Sequence, residues 1–529
     1  MKKITLNIFN ESVETKKWFS VFLVNMIAGI FTYSLLIINQ LVNQLDGMWH
    51  GSVSYANGHE LSIGRWFWRF IDRGRFYLSP DPVTSVISLS LFILGFIFIL
   101  NVLDVKSRAI SLFSSLIFTV NISILIDLSY RYMSPTFALS FFLFVLASCL
   151  MIRSENKIIR ITAPAVCISL AMGLYQAYIG CTCLVILAYI SLRLYKGDKS
   201  LKEIGIFTLR SIISAAIGML LYYILLYVNL WHYDVTLDSY NGADTYGPVG
   251  MLLNLPESIM QAYADFGDYF RQVIAKTNIF GSVVYNIVFL LLSVCLIYAL
   301  ICLFKENMLR AILFSITILL VPIAVNIVLF IAYDSFTSVQ MTIPVSMSIP
   351  VLLCIVSEIR TPQINASKIQ AVKIYKGVMA VALSLLIYGN YIMTIYDQQA
   401  MYKDRQSLTE ITREIITTLQ TYNLYHPYYK YVFVGSPADN PCFVKDFVDD
   451  KANNYAKIGS WDPGDTRWVV QSWQGFFTYE MGINLMVADD AKLMEALSDE
   501  TVRNMPIFPE FGCCALVNDV VVVKLSDNY

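Results

Sequence analysis

The sequence predicts an all-α polytopic membrane protein with a small α+β domain at its C-terminal end. Three observations carry this. Of the 529 residues, 57% are hydrophobic and only 15% are charged, against about 45–50% and about 25% in ordinary soluble domains. The mean hydropathy is +0.58. The apolar residues fall in blocks of about 20, the length that crosses roughly 30 Å of hydrocarbon. A net charge of -1 gives no electrostatic footprint for nucleic acid.

Backbone amides must pair internally in lipid, so each block is expected to be helical. About eleven spans are predicted, near 18–42, 82–103, 108–127, 135–152, 161–174, 177–195, 206–231, 278–304, 310–332, 340–358 and 372–395. The first run is too long for a signal-peptide core and no small-residue cleavage site follows it, so it reads as a retained helix. Thr162–Tyr195 is too long for one span, and Gly173 with Tyr175-Gln176 marks a bend that divides it.

Lys and Arg in the short loops set orientation. Lys16 and Lys17, Lys106 and Arg108, Arg153 and Arg160, Lys196 and Lys199, Lys305 and Arg310, and Lys373 and Lys376 fall on one side if the helix count holds. That side is expected to be cytoplasmic. The opposite face then receives the polar segments near 43–81, 128–134 and 232–278, and the tail after Tyr396. The chain therefore divides into a membrane domain, 1–396, and an extracytoplasmic domain, 397–529. The tail has a helical pattern over Ser407–Leu419 and strand-like runs at Tyr429–Val434 and Ala515–Lys524.

The first outer loop, 43–81, carries the candidate chemistry. Asp46 sits at the mouth of the first span, where a carboxylate is costly. It reads either as a general base that takes a proton from a hydroxyl or as the cap of a short helix. Arg65, Arg69 and Arg73 are spaced i, i+4, i+8, one stripe of an interfacial helix with Ser62 as its N-cap. Guanidinium groups hold a phosphate bidentately; the alternative is an anchor that merely touches anionic head groups. Arg75 and Arg131 are further candidates, Arg131 within Asp127…Ser129-Tyr130-Arg131-Tyr132. Gln176 needs a hydrogen-bond partner in mid-membrane context: with Tyr175 it either reads a sugar hydroxyl or pins the helix break. Asp234, Asp238, Asp244 and Asp334 also face outward and suit an ordinary exposed loop better than a sugar site.

No phosphate loop, dinucleotide fingerprint or Gly-x-Ser-x-Gly elbow is present. The four histidines lack metal spacing, and so do the ten cysteines. No metal site or cofactor is implied, and a divalent ion is left open. A disulfide from Cys442 is also left open.

Asp46 with Gly64-Arg65-Trp66, then Asp127…Tyr130-Arg131-Tyr132…Ser134-Pro135, then Gly173-Leu174-Tyr175-Gln176-Ala177 occur in that order. Taken together they resemble the bacterial and phage glucosyltransferases that modify O-antigen, the type II serotype-converting group. The resemblance covers roughly the first 400 residues. It implies a GT-C type membrane fold, a polyprenyl-phosphate sugar donor (glucose in the namesake members) and transfer on the outer face of the bacterial cytoplasmic membrane. The acceptor it implies is a cell-surface polysaccharide or lipid-linked glycan. It also implies a base in the first outer loop, a place that Asp46 matches. Arg65, Arg69, Arg73 and Arg131 are then expected at the donor phosphate, and Trp49, Asp127, Tyr175 and Gln176 at the sugar or acceptor. The competing readings are a flippase for a lipid-linked saccharide, which needs a polar lane through the bundle, and a non-catalytic assembly subunit.

Overall fold

The computed structural model describes residues 12–44, 46–51, 53, 56–240, 254–273, 283–331, 337–359, 366–443, 448, 451–453, 455–461 and 464–528. Among them the chain is mostly helical, with one small sheet near the C-terminal end. Asp244 and Asp334 lie outside the described residues.

Among the described residues six helices are long and apolar enough to cross a membrane, and a bent pair raises this to seven. The six are Val83–Val102, Ser134–Arg153, Gln176–Lys196, Leu201–Tyr233, Val283–Glu306 and Gln370–Thr421. The other predicted spans are broken or short. The run 108–127 divides into Arg108–Thr119 and Ile122–Ser129, bent by 45°. Asn121 makes that break, since its side chain caps the second piece by accepting from the Ser123 amide. The first run is split into Ser12–Thr32 and Ser34–Asn39. Ile159–Met172 has 14 residues. The run 310–332 forms Met308–Leu319, Val321–Val325 and Val328–Ile331, and 340–358 forms Ile343–Ser346 and Ser348–Ser357. Pro322 and Pro344 sit in the first turns of their short pieces, where a missing amide proton costs least. Composition shows how much apolar chain is available, but caps and prolines decide where each helix stops.

Small residues let the helices approach closely. A Cβ on Gly218 would lie 2.9 Å from the Ala165 carbonyl, and one on Gly95 would strike the Phe141 ring at 2.6 Å. The basic residues of alternate loops meet at one end of this bundle. Asp104 pairs with Arg153 and with Arg193, Lys196 pairs with Glu358 at 2.6 Å, and Arg310 donates to the Lys199 carbonyl. Basic residues near 153, 193–199 and 310 thus lie close together.

The last long helix, Ala366–Thr421, runs unbroken through position 396 and into the C-terminal part. There, strands β1 (Lys430–Val434), β2 (Met486–Val487), β3 (Cys514–Val517) and β4 (Val520–Lys524) form a sheet of order β2-β1-β4-β3. β1 is parallel to β2 and β4, and β3 is antiparallel to β4. The run Ala515–Lys524, expected as one strand, is therefore a hairpin. Asn518 and Asp519 take φ of 47° and 65°, the positive angles of a tight two-residue turn. Helices Thr466–Gly475 and Asp490–Ser498 cover the sheet around Trp473, Phe433 and Trp461. Cys442 is free and exposed, and the ten cysteines form no disulfide.

Candidate functional site

The described part of the 43–81 loop is folded, and its folding alters the arginine pattern. A four-residue helix, Asp46–Trp49, opens it. A second, Gly58–Ser62, is started by a capping box between Asn57 and Glu60. Ser62 ends this helix and donates its hydroxyl to the His59 carbonyl, so it is not the cap of an arginine helix. Gly64 follows with φ +87°. The Gln176 side-chain amide donates to the Ile63 carbonyl at 3.1 Å and to the Tyr222 hydroxyl at 3.0 Å, and that hydroxyl donates to the Gly64 carbonyl. Any Cβ on Gly64 would overlap the Tyr222 hydroxyl and lie 2.6 Å from Gln176 Nε2. The next helix starts only at Trp68 and ends at Gly74.

Arg65 therefore stands on the turn, and the single stripe expected from its spacing does not form. Its guanidinium packs over Tyr175 at 4.9 Å and Trp68 at 5.8 Å. Arg69 lies over the Tyr233 ring at 3.7 Å. Arg73 is exposed. Arg75 is bound by Asp72 at 2.8 Å and donates to the Tyr132 carbonyl at 2.6 Å. Asp72 is buried and also accepts from the Ala56 amide and Trp68 Nε1. Burial pushes its carboxyl up, and the Arg75 charge pulls it back. This knot of Asp72, Trp68 and Arg75 fixes the loop. Its only sequence signal is the i, i+4 and i+3 spacing, which is common on any helix.

The remaining candidates gather beside this knot. Trp68 stacks on Tyr132, and Tyr132 meets His50 at a tilt of 43° with ring centroids 4.0 Å apart. Arg131, 6% exposed, reaches the His50 carbonyl with Nη2 at 3.5 Å. Asp81 feels the Arg131 charge, and burial raises its carboxyl. Tyr175 meets Tyr178 edge-on, and the Tyr178 hydroxyl donates to Asp127, which is fully buried. The end of the Asp127 helix touches the Asp46 helix: the Ser129 carbonyl accepts from the Asn43 amide at 3.2 Å, and Asn43 Oδ1 accepts from the Gly47 amide at 2.8 Å. The Asp46 carboxylate lies outside the described part of the structure; its backbone begins the helix. Trp49 turns to the C-terminal sheet domain, donating Nε1 to Ser472 at 3.3 Å and packing edge-on against Trp468.

The electrostatics of this neighbourhood are unbalanced. Arg65 Nε, Arg69 Nη1 and Arg131 Nε are buried with no hydrogen-bond partner among the described residues. A buried guanidinium N–H left unpaired is expensive, and an anion with several acceptor oxygens would satisfy such donors. Among the described residues no group of three His, Cys, Asp or Glu side chains could hold a metal ion.

A helical bundle with spans of membrane-crossing length, and a loop whose half-buried Arg65 and Arg69 flank a turn-locked glycine, is the setting of this site. The chain belongs to the glucosyl transferase GtrII family, whose model matches residues 50–355, more than half of its length. It is thus a glucosyltransferase by family, acting between a sugar donor and an acceptor. Arg65, Arg69, Arg73, Asp127, Arg131, Tyr175 and Gln176 fall inside the matched region, whereas Asp46 and Trp49 precede it. No curated protein and no solved structure gives a significant match to the chain.

Proposed function

We propose that the protein transfers glucose from a polyprenyl-phosphate donor to a surface polysaccharide or lipid-linked glycan, on the outer face of a bacterial cytoplasmic membrane. The observation that carries this reading is the set of buried guanidinium nitrogens on Arg65, Arg69 and Arg131 that have no partner among the described residues. They belong to one boundary loop and to the helix end it docks on. A lipid-linked sugar presents its phosphate at that depth. The clustering of the Lys- and Arg-rich loops at one end of the bundle supports the orientation, since that end suits the cytoplasm.

In this mechanism the acceptor hydroxyl attacks the anomeric carbon and inverts it. Asp46 takes the hydroxyl proton. The bond to the phosphate oxygen breaks, and polyprenyl phosphate leaves with added negative charge. Arginines placed there in advance stabilise that charge more than the ground state, which lowers the barrier. Arg65 is held by Tyr175 and Trp68, so it is oriented before substrate arrives. Tyr175 and Asp127 flank the sugar side. The Gln176 amide is engaged with Ile63 and Tyr222, and its part is to hold the Gly64 turn that carries Arg65.

The test is Asp46→Asn in membranes supplied with defined polyprenyl-phosphate sugars. Donor consumption should fall to background while the protein remains inserted and folded. Turnover close to native in that variant would remove Asp46 from the base role. A preference for a donor other than the glucosyl one would overturn the assigned sugar.

A further inference from the structure

The Asp46–Trp49 helix has four residues. A single turn has no stability of its own, because nucleating it costs more than its few hydrogen bonds return. Its position must therefore be imposed by what it packs against. One side is the end of a membrane helix, through the Asn43–Ser129 contact already described. A Cβ on Gly47 would lie 3.0 Å from the Ser129 carbonyl oxygen.

The other side is the C-terminal sheet domain, which lies wholly beyond the region matched by the family. Helix Thr466–Gly475 ends against the Asp46 helix. A Cβ on Gly475 would overlap the Met48 carbonyl oxygen and lie 2.9 Å from its carbonyl carbon. One turn earlier, Ser472 accepts from Trp49. On the approach to the helix, the Gln44 carbonyl accepts from Trp461 Nε1 at 2.9 Å, and the Gln44 amide donates to the Tyr455 carbonyl at 3.1 Å. Arg405 joins the same parts, donating to the Asn39 carbonyl at 2.7 Å while pairing with Glu480 at 2.9 Å. Val42 and Met48 are buried in the hydrophobic cluster of the C-terminal domain, not in that of the membrane bundle.

We infer that the C-terminal domain is a positioning device for the Asp46 helix, with Gly475 setting how closely the two helices approach. The inference rests on the reading of Asp46 as the base. Gly475, Ser472 and Trp461 act through that helix and touch no substrate. Among the described residues Arg65 and Arg69 make no contact with it, and Arg131 meets this segment only past its end, through a long 3.5 Å contact to the His50 carbonyl, so donor binding depends little on the clamp.

The experiment uses the full chain in membranes, with a polyprenyl-phosphate glucose as probe and donor consumption normalised to inserted protein. Gly475→Ala must push the Met48 carbonyl away by about 1 Å, a displacement that can cost about 10²-fold in rate. The kcat should fall by that order while the KM for the donor stays unchanged. The control is Gly482→Ala in the same domain. Gly482 has φ +66° and open space around its Cβ position, so this variant strains the backbone without touching the Asp46 helix. It should lower the amount of folded protein and leave kcat per molecule intact. A native kcat in Gly475→Ala, or an equal loss of kcat in both variants, would overturn the inference. Should Gly475→Ala fail to accumulate, Trp461→Phe removes the bond to Gln44 together with part of the indole packed on Trp473, and per inserted molecule it should show a several-fold loss confined to kcat; a native kcat there also overturns it. If Asp46→Asn is inactive and the clamp variants are not impaired, the positioning role alone fails. If Asp46→Asn turns over normally, the base assignment fails instead.

Discussion

Arg131 and Asp81 show how one buried charge depends on another. Burial pushes the Asp81 carboxyl above its ordinary value of 3.8, while bonds from the Ser85 hydroxyl and amide and the Arg131 charge pull it down. A carboxyl raised on folding contributes stability in its neutral form, complete below 3.8 and lost as pH rises through the folded value. Removing the Arg131 charge raises the folded value further, so the loss grows and extends to higher pH. Arg131→Gln is therefore expected to melt below the native protein, with a gap that opens as pH rises past the folded value of the native Asp81 carboxyl and widens over the range above it. Thermal unfolding in detergent across that range checks it; parallel profiles for the two proteins would refute the coupling. Gly64 is the other decisive residue. Its left-handed turn takes Arg65 off the helix that carries Arg69 and Arg73. No periodicity count can see this, since the residues that lock the turn, Gln176 and Tyr222, lie more than a hundred positions away in sequence.

At the scale of elements, the long apolar helices were legible because length and composition suffice to define them. Val83–Val102, Ser134–Arg153 and Val283–Glu306 fall where the apolar blocks do. The breaks were not legible. The Asn121 cap and the Pro322 and Pro344 turns interrupt runs that remain apolar throughout. The β3–β4 hairpin was missed for a related reason: Asn518-Asp519 is a polar pair in a valine-rich run, and only its positive φ angles mark it as a turn. Glycine adopts such angles freely while other residues pay roughly 1 kcal/mol or more. Asp519→Gly should therefore stabilise the C-terminal domain by up to about 1 kcal/mol, seen as a rise in its melting temperature. A fall would show that the Asp519 side chain makes contacts worth more than the backbone strain.

At the scale of the whole molecule, the loop that carries the candidate base is shared between two packing units. Val42 and Met48 are 0% and 1% exposed, and both are covered by the C-terminal domain. Exposing each costs about 1.5–3 kcal/mol. A chain stopped after Thr421 should insert its membrane helices but lose order in the first outer loop. Limited proteolysis of membranes is expected to cut near residues 43–51 in the truncated protein and to spare them in the full one. Equal resistance would show that the bundle alone holds the loop.

The sequence by itself determined that the chain is mostly helical with helices of membrane-crossing length, and that an acid and several arginines follow the first apolar run. These follow from local chemistry: apolar length, charge and residue type. Only the tertiary structure decided which arginines share a neighbourhood, that Arg73 is exposed while Arg131 is buried, and that Gln176 holds a turn. It also decided that the Asp46–Trp49 helix rests against Gly475, more than four hundred residues downstream. Close backbone approaches and buried unpaired donors are properties of packing between distant segments, and no local pattern encodes them.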